Sequence, residues 1–154
     1  MIAIGSVSND FNTPGIKEHC FYLDSNQQAE RFQHALLDNF TRLHQDDNPQ
    51  HALNIAIVGG GATGVELSAE LYHVSDLLKL YGLTNMSAKR LHIHLIEAGP
   101  RILPALPERI ANSAKRELLK LGVNVRENTQ VKQATNQGFI TKDDEQIDAD
   151  IMVW

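Results

Sequence analysis

The sequence predicts an α/β fold in which a central parallel sheet is flanked by helices and joined to a small antiparallel β-meander. Three observations support this prediction. Apolar runs of strand length alternate with helical segments whose apolar residues recur every three or four positions. The run 55–58 contains no polar residue, as expected of a strand covered on both faces in a parallel sheet. The short strand-like runs near the end of the chain are separated by polar turns.

The first third of the chain is expected to contain a strand, a linker and one helix. Residues 1–4 form a short apolar run, and residues 5–24 are rich in turn formers, which predicts a loop or linker. Ser25 followed by Gln28 at the third helical position has the pattern of a capping box. The helix should continue to about His44. Its apolar stripe is predicted to consist of Ala29, Phe32, Leu36, Phe40 and Leu43.

The rest of the chain predicts strand, helix, strand, helix and strand in that order, which is the βαβαβ unit of a doubly wound sheet. The first strand is 54–58, and the helix after it ends near Tyr81 and Gly82. A polar connection at 83–90 leads to a second strand at 91–96. A helix from Pro107, with Gly122 just past its end, is expected to present one set of residues inward: Ile110, Ala114, Leu118 and Leu121. A third strand at 123–125 precedes three short strand-like pieces, which are expected to form the antiparallel meander: 129–134, 138–141 and 151–154.

The length, net charge and cysteine count limit which kinds of protein this chain can be and which partners it can have. The chain has 154 residues, a formal net charge of −5 and a single cysteine. That length suits one domain with its own core, and the acidic balance disfavours nucleic acid as a partner. A lone Cys20 excludes an internal disulfide and is expected to be a small packing residue. No apolar run approaches the ~20 residues of a membrane span, so we expect a cytoplasmic chain without a membrane segment of its own.

A G-x-G-x-x-G motif at 59–64 lies between the first strand and an amphipathic helix, the context that a dinucleotide-binding loop requires. Gly59 permits the sharp turn, Gly61 lets the backbone approach a pyrophosphate, and Gly64 lets the helix pack against the strand. The free amides and positive dipole end of the helix would hold the anion, and the Thr63 hydroxyl could add a hydrogen bond. The alternative is a glycine-rich turn that binds nothing.

Glu97 ends the second strand, where a carboxylate can accept hydrogen bonds from both hydroxyls of an adenosine ribose. A 2′-phosphate would replace that attraction with repulsion, which favours NADH over NADPH. Arg101 weakens this argument, because a nearby arginine can accommodate a 2′-phosphate. Glu97 also lies further from Gly64 than the usual spacing of about 20 residues.

Glu66 lies in the first turn of the helix after the glycine loop. An acidic residue there often only complements the helix dipole. Since a pyrophosphate already faces this helix start, a side chain pointing sideways could instead contact the nicotinamide end of the cofactor. His92 and His94 share one strand face, but no third ligand has suitable spacing, so no metal site is expected.

Four stretches closely resemble type II NADH dehydrogenases, the single-subunit NADH:quinone oxidoreductases of the two-dinucleotide flavoprotein superfamily. They are 3–15, 54–71, 97–107 and 148–154. In that family FAD and NADH each occupy a Rossmann-type domain, and the NADH domain is inserted into the FAD domain. The resemblance implies that five residues surround the NADH pyrophosphate: Gly59, Gly61, Ala62, Thr63 and Gly64.

The resemblance also implies the surroundings of the other parts of the cofactors. Glu97 and Ala98 would lie beside the adenosine ribose, Val131 would border the adenine, and Glu66 would lie toward the nicotinamide. The segment with Gly5 resembles one that touches FAD.

The resemblance further implies that the chain is the NADH-binding part of a longer enzyme. The expected divisions are a strand and linker from the FAD domain at 1–24, a connecting helix at 25–49 and the NAD(H)-binding domain at 50–154. The parent would pass hydride from NADH to FAD and electrons on to a quinone, as a peripheral protein on the cytoplasmic face of the inner membrane. The 154-residue chain alone is expected to bind NADH without turnover.

Three alternatives stay open at this point. The chain could belong to another flavin-dependent reductase, of the ferredoxin or disulfide reductase type. It could be a non-catalytic NADH-sensing module. A methyltransferase with the same fold would show a shorter glycine loop and a substrate-side motif, neither of which is evident.

Overall fold

A computed structural model describes residues 8–48, 50–82 and 90–154. The expected first strand at 1–4, Gly5 and the connection at 83–89 lie outside the described residues. The helices are α1 Ile16–His19, α2 Asn26–Gln45, α3 Ala62–Leu80 and α4 Glu108–Leu121. The strands are β1 Leu53–Val58, β2 Leu91–Ile96, β3 Asn124–Arg126, β4 Val131–Thr135, β5 Gly138–Thr141, β6 Gln146–Asp148 and β7 Ile151–Val153.

The strands form two sheets, and the predicted fold class is confirmed. A parallel sheet has the order β3-β2-β1-β7, and an antiparallel sheet has the order β4-β5-β6. β1 lies inside the parallel sheet, with Ile55 opposite both Ile93 of β2 and Ile151 of β7. The glycine loop therefore leaves the sheet from an interior strand, where open α/β sheets bind their ligands.

The two faces of the parallel sheet are covered by different layers. Ile55 and Ile57 point into a core shared with apolar residues of α2, α3 and α4. Ala56 points to the other face, into a core shared with α1 and the meander, where Phe139 and Ile147 are buried. The second face is thus covered by the meander rather than by the second layer of long helices that a doubly wound sheet would have.

The start of α2 agrees with the predicted cap. The Ser25 hydroxyl accepts a hydrogen bond from the Gln28 amide at 3.3 Å. The Gln28 side-chain oxygen accepts one from the amide of Asp24 at 2.9 Å, one residue before the cap itself. Ala29 is exposed. The other four residues of the predicted stripe are buried against the sheet: Phe32, Leu36, Phe40 and Leu43.

The prediction that 151–154 belongs to the meander is wrong. The third meander strand is β6, and β7 pairs in parallel with β1. The physical reason is burial: Ile151, Met152 and Val153 are all buried, so both faces of β7 need the cover that the two layers packed on the parallel sheet supply. β6 alternates in the way of a half-covered strand, with Ile147 buried between two exposed polar residues.

The prediction that 5–24 is only a loop or linker is also wrong in part. The described residues of this segment include α1, whose Ile16 is fully buried. Phe21 then extends the sheet beside β7, because its amide donates to Met152 O at 2.8 Å and its carbonyl accepts from the Trp154 amide at 2.9 Å. The linker thus covers one edge of the parallel sheet.

The helix predicted from Pro107 forms as α4, and Gly122 ends it in the left-handed conformation with φ of 102°. Ile110 is wrongly assigned to the inward face, since it is 42% exposed. Ala111 is buried in its place, because the stripe through Ala111 and Leu118 passes Ile110 by one residue, about 100° around the helix.

Candidate functional site

A cleft of about 450 Å³ opens above the carboxyl end of β1. One wall is the glycine loop with the start of α3, and the other comes from the linker and the end of β7. The described lining residues are Ser8, Leu23, Asp24, Ile57, Val58, Gly59, Gly61, Ala62, Thr63, Gly64, Leu67, Val153 and Trp154. All five residues expected at a pyrophosphate, Gly59, Gly61, Ala62, Thr63 and Gly64, are thereby brought together.

The glycines of the loop have different physical reasons to be glycine. Gly59 has φ of 112°, a conformation that residues with side chains rarely adopt. A Cβ on Gly64 would lie 2.1 Å from the Gly59 carbonyl oxygen, so only glycine lets α3 approach the loop this closely. A Cβ on Gly61 would meet no described atom within 4 Å. Gly61 therefore leaves open space in the cleft, where a phosphate could come close to the backbone.

The start of α3 carries donors that suit an anion. Gly61 is the N-cap and provides no side chain to cap the helix. The first intrahelical bond runs from the Val65 amide to Gly61 O at 3.1 Å, so the amides of Ala62, Thr63 and Gly64 lack partners within the helix. Together with the helix dipole, these amides form a positive end that faces the cleft.

Glu97 lies at the end of β2, and its carboxylate is held by the backbone on both sides. One oxygen accepts from the Gly60 amide at 2.7 Å, and the other accepts from the Gly99 amide at 2.6 Å. Each carboxylate oxygen has a second lone pair, so these two bonds leave acceptor capacity for a ligand hydroxyl. The carboxylate is thus beside the glycine loop, as expected from the sequence despite the long spacing.

The loop after β2 closes over the glycine loop. The Leu103 amide donates to Gly60 O at 2.6 Å, and Leu103 itself has φ of 50°. Ile102 is fully buried beneath this contact. The Ile102 amide donates to Glu127, whose other oxygen pairs with Lys115 on α4. Burial alone would raise the pKa of Glu127, but the Lys115 and Ile102 hydrogen bonds outweigh it and lower the pKa.

Sequence reasoning missed the roles of Gly60, Leu103 and Glu127. A Cβ on Gly60 would lie 2.9 Å from both Glu97 Oε2 and Ile102 Cγ2. Gly60 occupies an unspecified position of the glycine motif, and its partners are far away in the chain. No local signal in the sequence could identify them.

The other expected site residues differ in how far they face the cleft. Thr63 is exposed and lines the cleft, whereas Ala98 is exposed but, like Glu97, is not among the described lining residues. Glu66 is exposed and is not among the described lining residues. Val131 is a core residue of the meander and only 6% exposed, so little of its surface is open to a ligand. Gly5 lies outside the described residues.

Arg101, which weakened the argument for NADH, is bound within its own loop. Its two terminal nitrogens donate to Pro104 O and Leu106 O, both at 2.9 Å. The guanidinium therefore stabilises the turn between β2 and α4, and two of its five N–H donors are in use there.

The second wall of the cleft was not expected from the sequence. The Trp154 indole nitrogen donates to Asn9 O at 2.8 Å. The Ser8 hydroxyl donates to Asp24 at 2.7 Å, which fixes the linker at the cleft mouth. An aromatic ring and a carboxylate thus lie across from the start of α3.

Neither the two histidines of β2 nor Cys20 is among the described lining residues of the cleft. His92 and His94 lie on one face of β2, and among the described residues no group of three or more His, Cys, Asp or Glu side chains is placed to hold a metal. Burial raises the pKa of the Cys20 thiol to about 12, so it is not a nucleophile at neutral pH. Within the same residues, no helix is long and apolar enough to cross a membrane.

The fold, the glycine loop and the held carboxylate define a dinucleotide-binding α/β domain. The chain belongs to the pyridine nucleotide-disulphide oxidoreductase family, whose model matches residues 1–154.

Relatives support the expected resemblance. A type II NADH:quinone oxidoreductase from Haemophilus influenzae is 46% identical over the whole chain. An external alternative NAD(P)H-ubiquinone oxidoreductase B4 from Arabidopsis thaliana mitochondria is 33% identical over 94% of the chain. The chain spans 38% of the first relative and 25% of the second.

Solved structures share the fold. NDH2 from Plasmodium falciparum in complex with NADH superposes with a TM-score of 0.85 at 22% identity, over 98% of this chain and 32% of that one. A ferredoxin reductase from Rhodopseudomonas palustris superposes with a TM-score of 0.69 at 15% identity, over 92% of this chain and 30% of that one.

Proposed function

We propose that this chain binds NADH in the cleft above β1 and is the NADH-binding part of an NADH:quinone oxidoreductase. The observation that carries the proposal is that the α3 amides without partners inside the helix and the Glu97 carboxylate both lie at the glycine loop, at one edge of the sheet. An anion and a ribose diol need those two groups side by side. The 46% identity to a type II NADH:quinone oxidoreductase supports the same conclusion.

The pyrophosphate fits the start of α3. Gly59 and Gly61 leave space above the loop, since a Cβ on either would meet no atom of the described residues within 4 Å. The amides of Ala62, Thr63 and Gly64 would donate to the phosphate oxygens, and the Thr63 hydroxyl could add a further bond. Binding at this place combines hydrogen bonds with the dipole of a 19-residue helix.

The two halves of NADH would extend to opposite sides of β1. Toward β2, the free lone pairs of Glu97 would accept the adenosine ribose hydroxyls, with Ala98 beside the ribose and the small exposed part of Val131 near the adenine. Toward β7, the nicotinamide half would lie in the part of the cleft lined by Trp154. Glu66 would approach the nicotinamide from α3.

The carboxylate also supports a preference for NADH. A 2′-phosphate would meet the negative charge of Glu97, and Arg101, four residues further along the chain, donates to Pro104 O and Leu106 O within its own loop. NADPH would therefore bind more weakly than NADH because of the repulsion at Glu97.

The residues of this chain bind and orient the cofactor, and no side chain in it needs to act as acid, base or nucleophile. Bound NADH supplies a hydride, which FAD in the parent enzyme would accept before electrons pass to a quinone. The parent would act as a peripheral protein on the cytoplasmic face of the inner membrane. The expected FAD-contacting residue Gly5 lies outside the described residues.

Calorimetric titration of the 154-residue chain with NADH and NADPH tests the proposal. We expect NADH to bind more tightly than NADPH, and Glu97→Ala to reduce that difference. An NADH-to-NAD⁺ conversion assay on the same chain should show no steady turnover. Failure of the wild-type chain to bind either nucleotide would refute the proposal, and sustained NADH oxidation would refute the division of roles between this chain and its parent.

A further inference from the structure

We propose that Glu97 is a positioning residue that holds the glycine loop in its phosphate-binding conformation, independently of any contact with the adenosine ribose. The inference rests on the proposed binding of NADH at this loop. It assigns Glu97 a second task that a ribose contact alone does not require.

The first support is the number of backbone bonds that one carboxylate makes. Glu97 accepts from Gly60 on the glycine loop and from Gly99 on its own loop, at 2.7 Å and 2.6 Å. Both bonds are charge-assisted, the stronger class of hydrogen bond in proteins. A side chain whose only role was to bind a ribose would not need hydrogen bonds to two backbone segments.

The second support is that both backbone polar groups of Gly60 are held. Its amide donates to Glu97, and its carbonyl accepts from the Leu103 amide at 2.6 Å. The two bonds fix the peptide planes on both sides of Gly60, and the second plane contains the Gly61 amide, so they orient the backbone that leads into α3. The fit is tight, because even a methyl group on Gly60 would lie 2.9 Å from Glu97 Oε2.

The geometry makes glutamine a sharp probe. Both oxygens of Glu97 face N–H donors, so an amide at this position must turn its own NH₂ group toward either Gly60 or Gly99. Glu97→Gln therefore keeps the size of the side chain but loses one of the two bonds and adds a donor facing a donor. A contact with a ribose hydroxyl would tolerate Glu97→Gln better, because the hydroxyl can accept a hydrogen bond from the new NH₂ group as well as donate one.

The decisive ligand is an NADH analogue whose adenosine ribose lacks both hydroxyls, 2′,3′-dideoxyadenosine NADH. Calorimetry compares it with NADH on the wild-type chain, Glu97→Gln, Glu97→Ala and a control, Glu117→Ala, which removes an exposed carboxylate on α4. We expect both Glu97 variants to bind the dideoxy analogue about tenfold more weakly than wild type, the effect of one charge-assisted hydrogen bond. The control should match wild type. If the Glu97 variants bind the analogue as tightly as wild type and lose affinity only for NADH, Glu97 only contacts the ribose and the inference is wrong.

A measurement on the ligand-free chain separates this inference from the proposed function. Residue-resolved amide hydrogen exchange should show faster exchange at Gly60 and Gly99 in Glu97→Gln, with unchanged exchange in α4. Unchanged exchange at both glycines would overturn the inference even if NADH binds. If the wild-type chain binds no nucleotide, the proposed function fails, whereas faster exchange would still support the holding of the loop by Glu97.

Discussion

Gly64 lies against Gly59 so closely that a Cβ on Gly64 would be 2.1 Å from the Gly59 carbonyl oxygen. The same Cβ would be 3.2 Å from a methyl carbon of Leu95 on β2. Because the side chain of Gly64 is a single hydrogen atom, α3 can pack this closely against the glycine loop.

Gly64→Ala should therefore destabilise the fold. The obstacle is backbone rather than a flexible side chain, so relief requires α3 to move. We expect the free energy of unfolding to fall by about 3 kcal/mol, the upper part of the usual range for overpacking. Urea denaturation followed by circular dichroism measures it, and a loss below about 0.5 kcal/mol would contradict the close contact.

Gly61→Ala is the matched comparison, because it should reduce NADH affinity without reducing stability. Gly61 has φ of −72°, which alanine adopts without strain, and its Cβ would meet no described atom within 4 Å. Stability should be unchanged or higher by up to about 1 kcal/mol. NADH affinity should fall about tenfold, because the methyl group occupies the space proposed for the pyrophosphate. Full NADH affinity in this variant would place the phosphates elsewhere.

Arg101→Ala tests the role of the arginine beside the ribose site. Because its guanidinium is bound to Pro104 O and Leu106 O, we expect stability to fall by about 1 kcal/mol. The ratio of NADH to NADPH affinity should not change. A selective loss of NADPH binding would instead show that Arg101 leaves its loop to contact a 2′-phosphate.

Cys20 should be almost unreactive in the folded chain. Burial raises its pKa from 9.0 to about 12, so the thiolate is scarce at pH 8. Reaction with iodoacetamide should be slow in the native protein and fast in urea. The unfolded thiol ionises near its ordinary pKa, so this group's contribution to stability is complete below pH 9 and is lost as the pH rises from 9 toward 12. Rapid labelling under native conditions would contradict the burial.

His94 should make the fold less stable in mild acid. Burial is the main cause that lowers its pKa below 6.5, and the charges of Arg126 and His92 lower it further. The charge of Glu145 acts in the opposite direction. The Nδ1 of His94 is also buried without a partner among the described residues. The unfolded chain takes up a proton near pH 6.5 and the folded chain only at lower pH, so stability falls as the pH drops below about 6.5.

His94→Leu removes that proton uptake and should flatten the dependence of the unfolding free energy on pH between 7 and 5. Urea denaturation at several pH values compares the two chains. Identical slopes would mean that His94 keeps its ordinary pKa when folded.

The parts of the candidate site that the sequence predicted are positioned by contacts between residues close together in the chain or between neighbouring strands. Gly59 is constrained by a turn and Gly64 by a helix contact, and Gly61 between them borders the space proposed for the pyrophosphate, so the spacing of the three glycines points to this loop. Glu97 was found because the end of β2 must lie beside the end of β1 in a parallel sheet.

The parts that were missed depend on contacts between distant segments. Trp154 reaches the cleft because β7 joins β1, and its indole is held by Asn9 at the other end of the described chain. The assignment of 151–154 to the meander failed for the same reason. A short apolar run shows that a strand is buried, but it does not show which sheet provides the cover.

Trp154 is the single tryptophan of the chain and lines the cleft proposed for the nicotinamide. Indole emission overlaps the absorption band of reduced nicotinamide and does not overlap that of the oxidised ring. Energy transfer from this side chain should therefore quench its fluorescence when NADH is bound and restore it when NAD⁺ takes its place. The domain would carry, without any label, its own optical indicator of the redox state of its ligand.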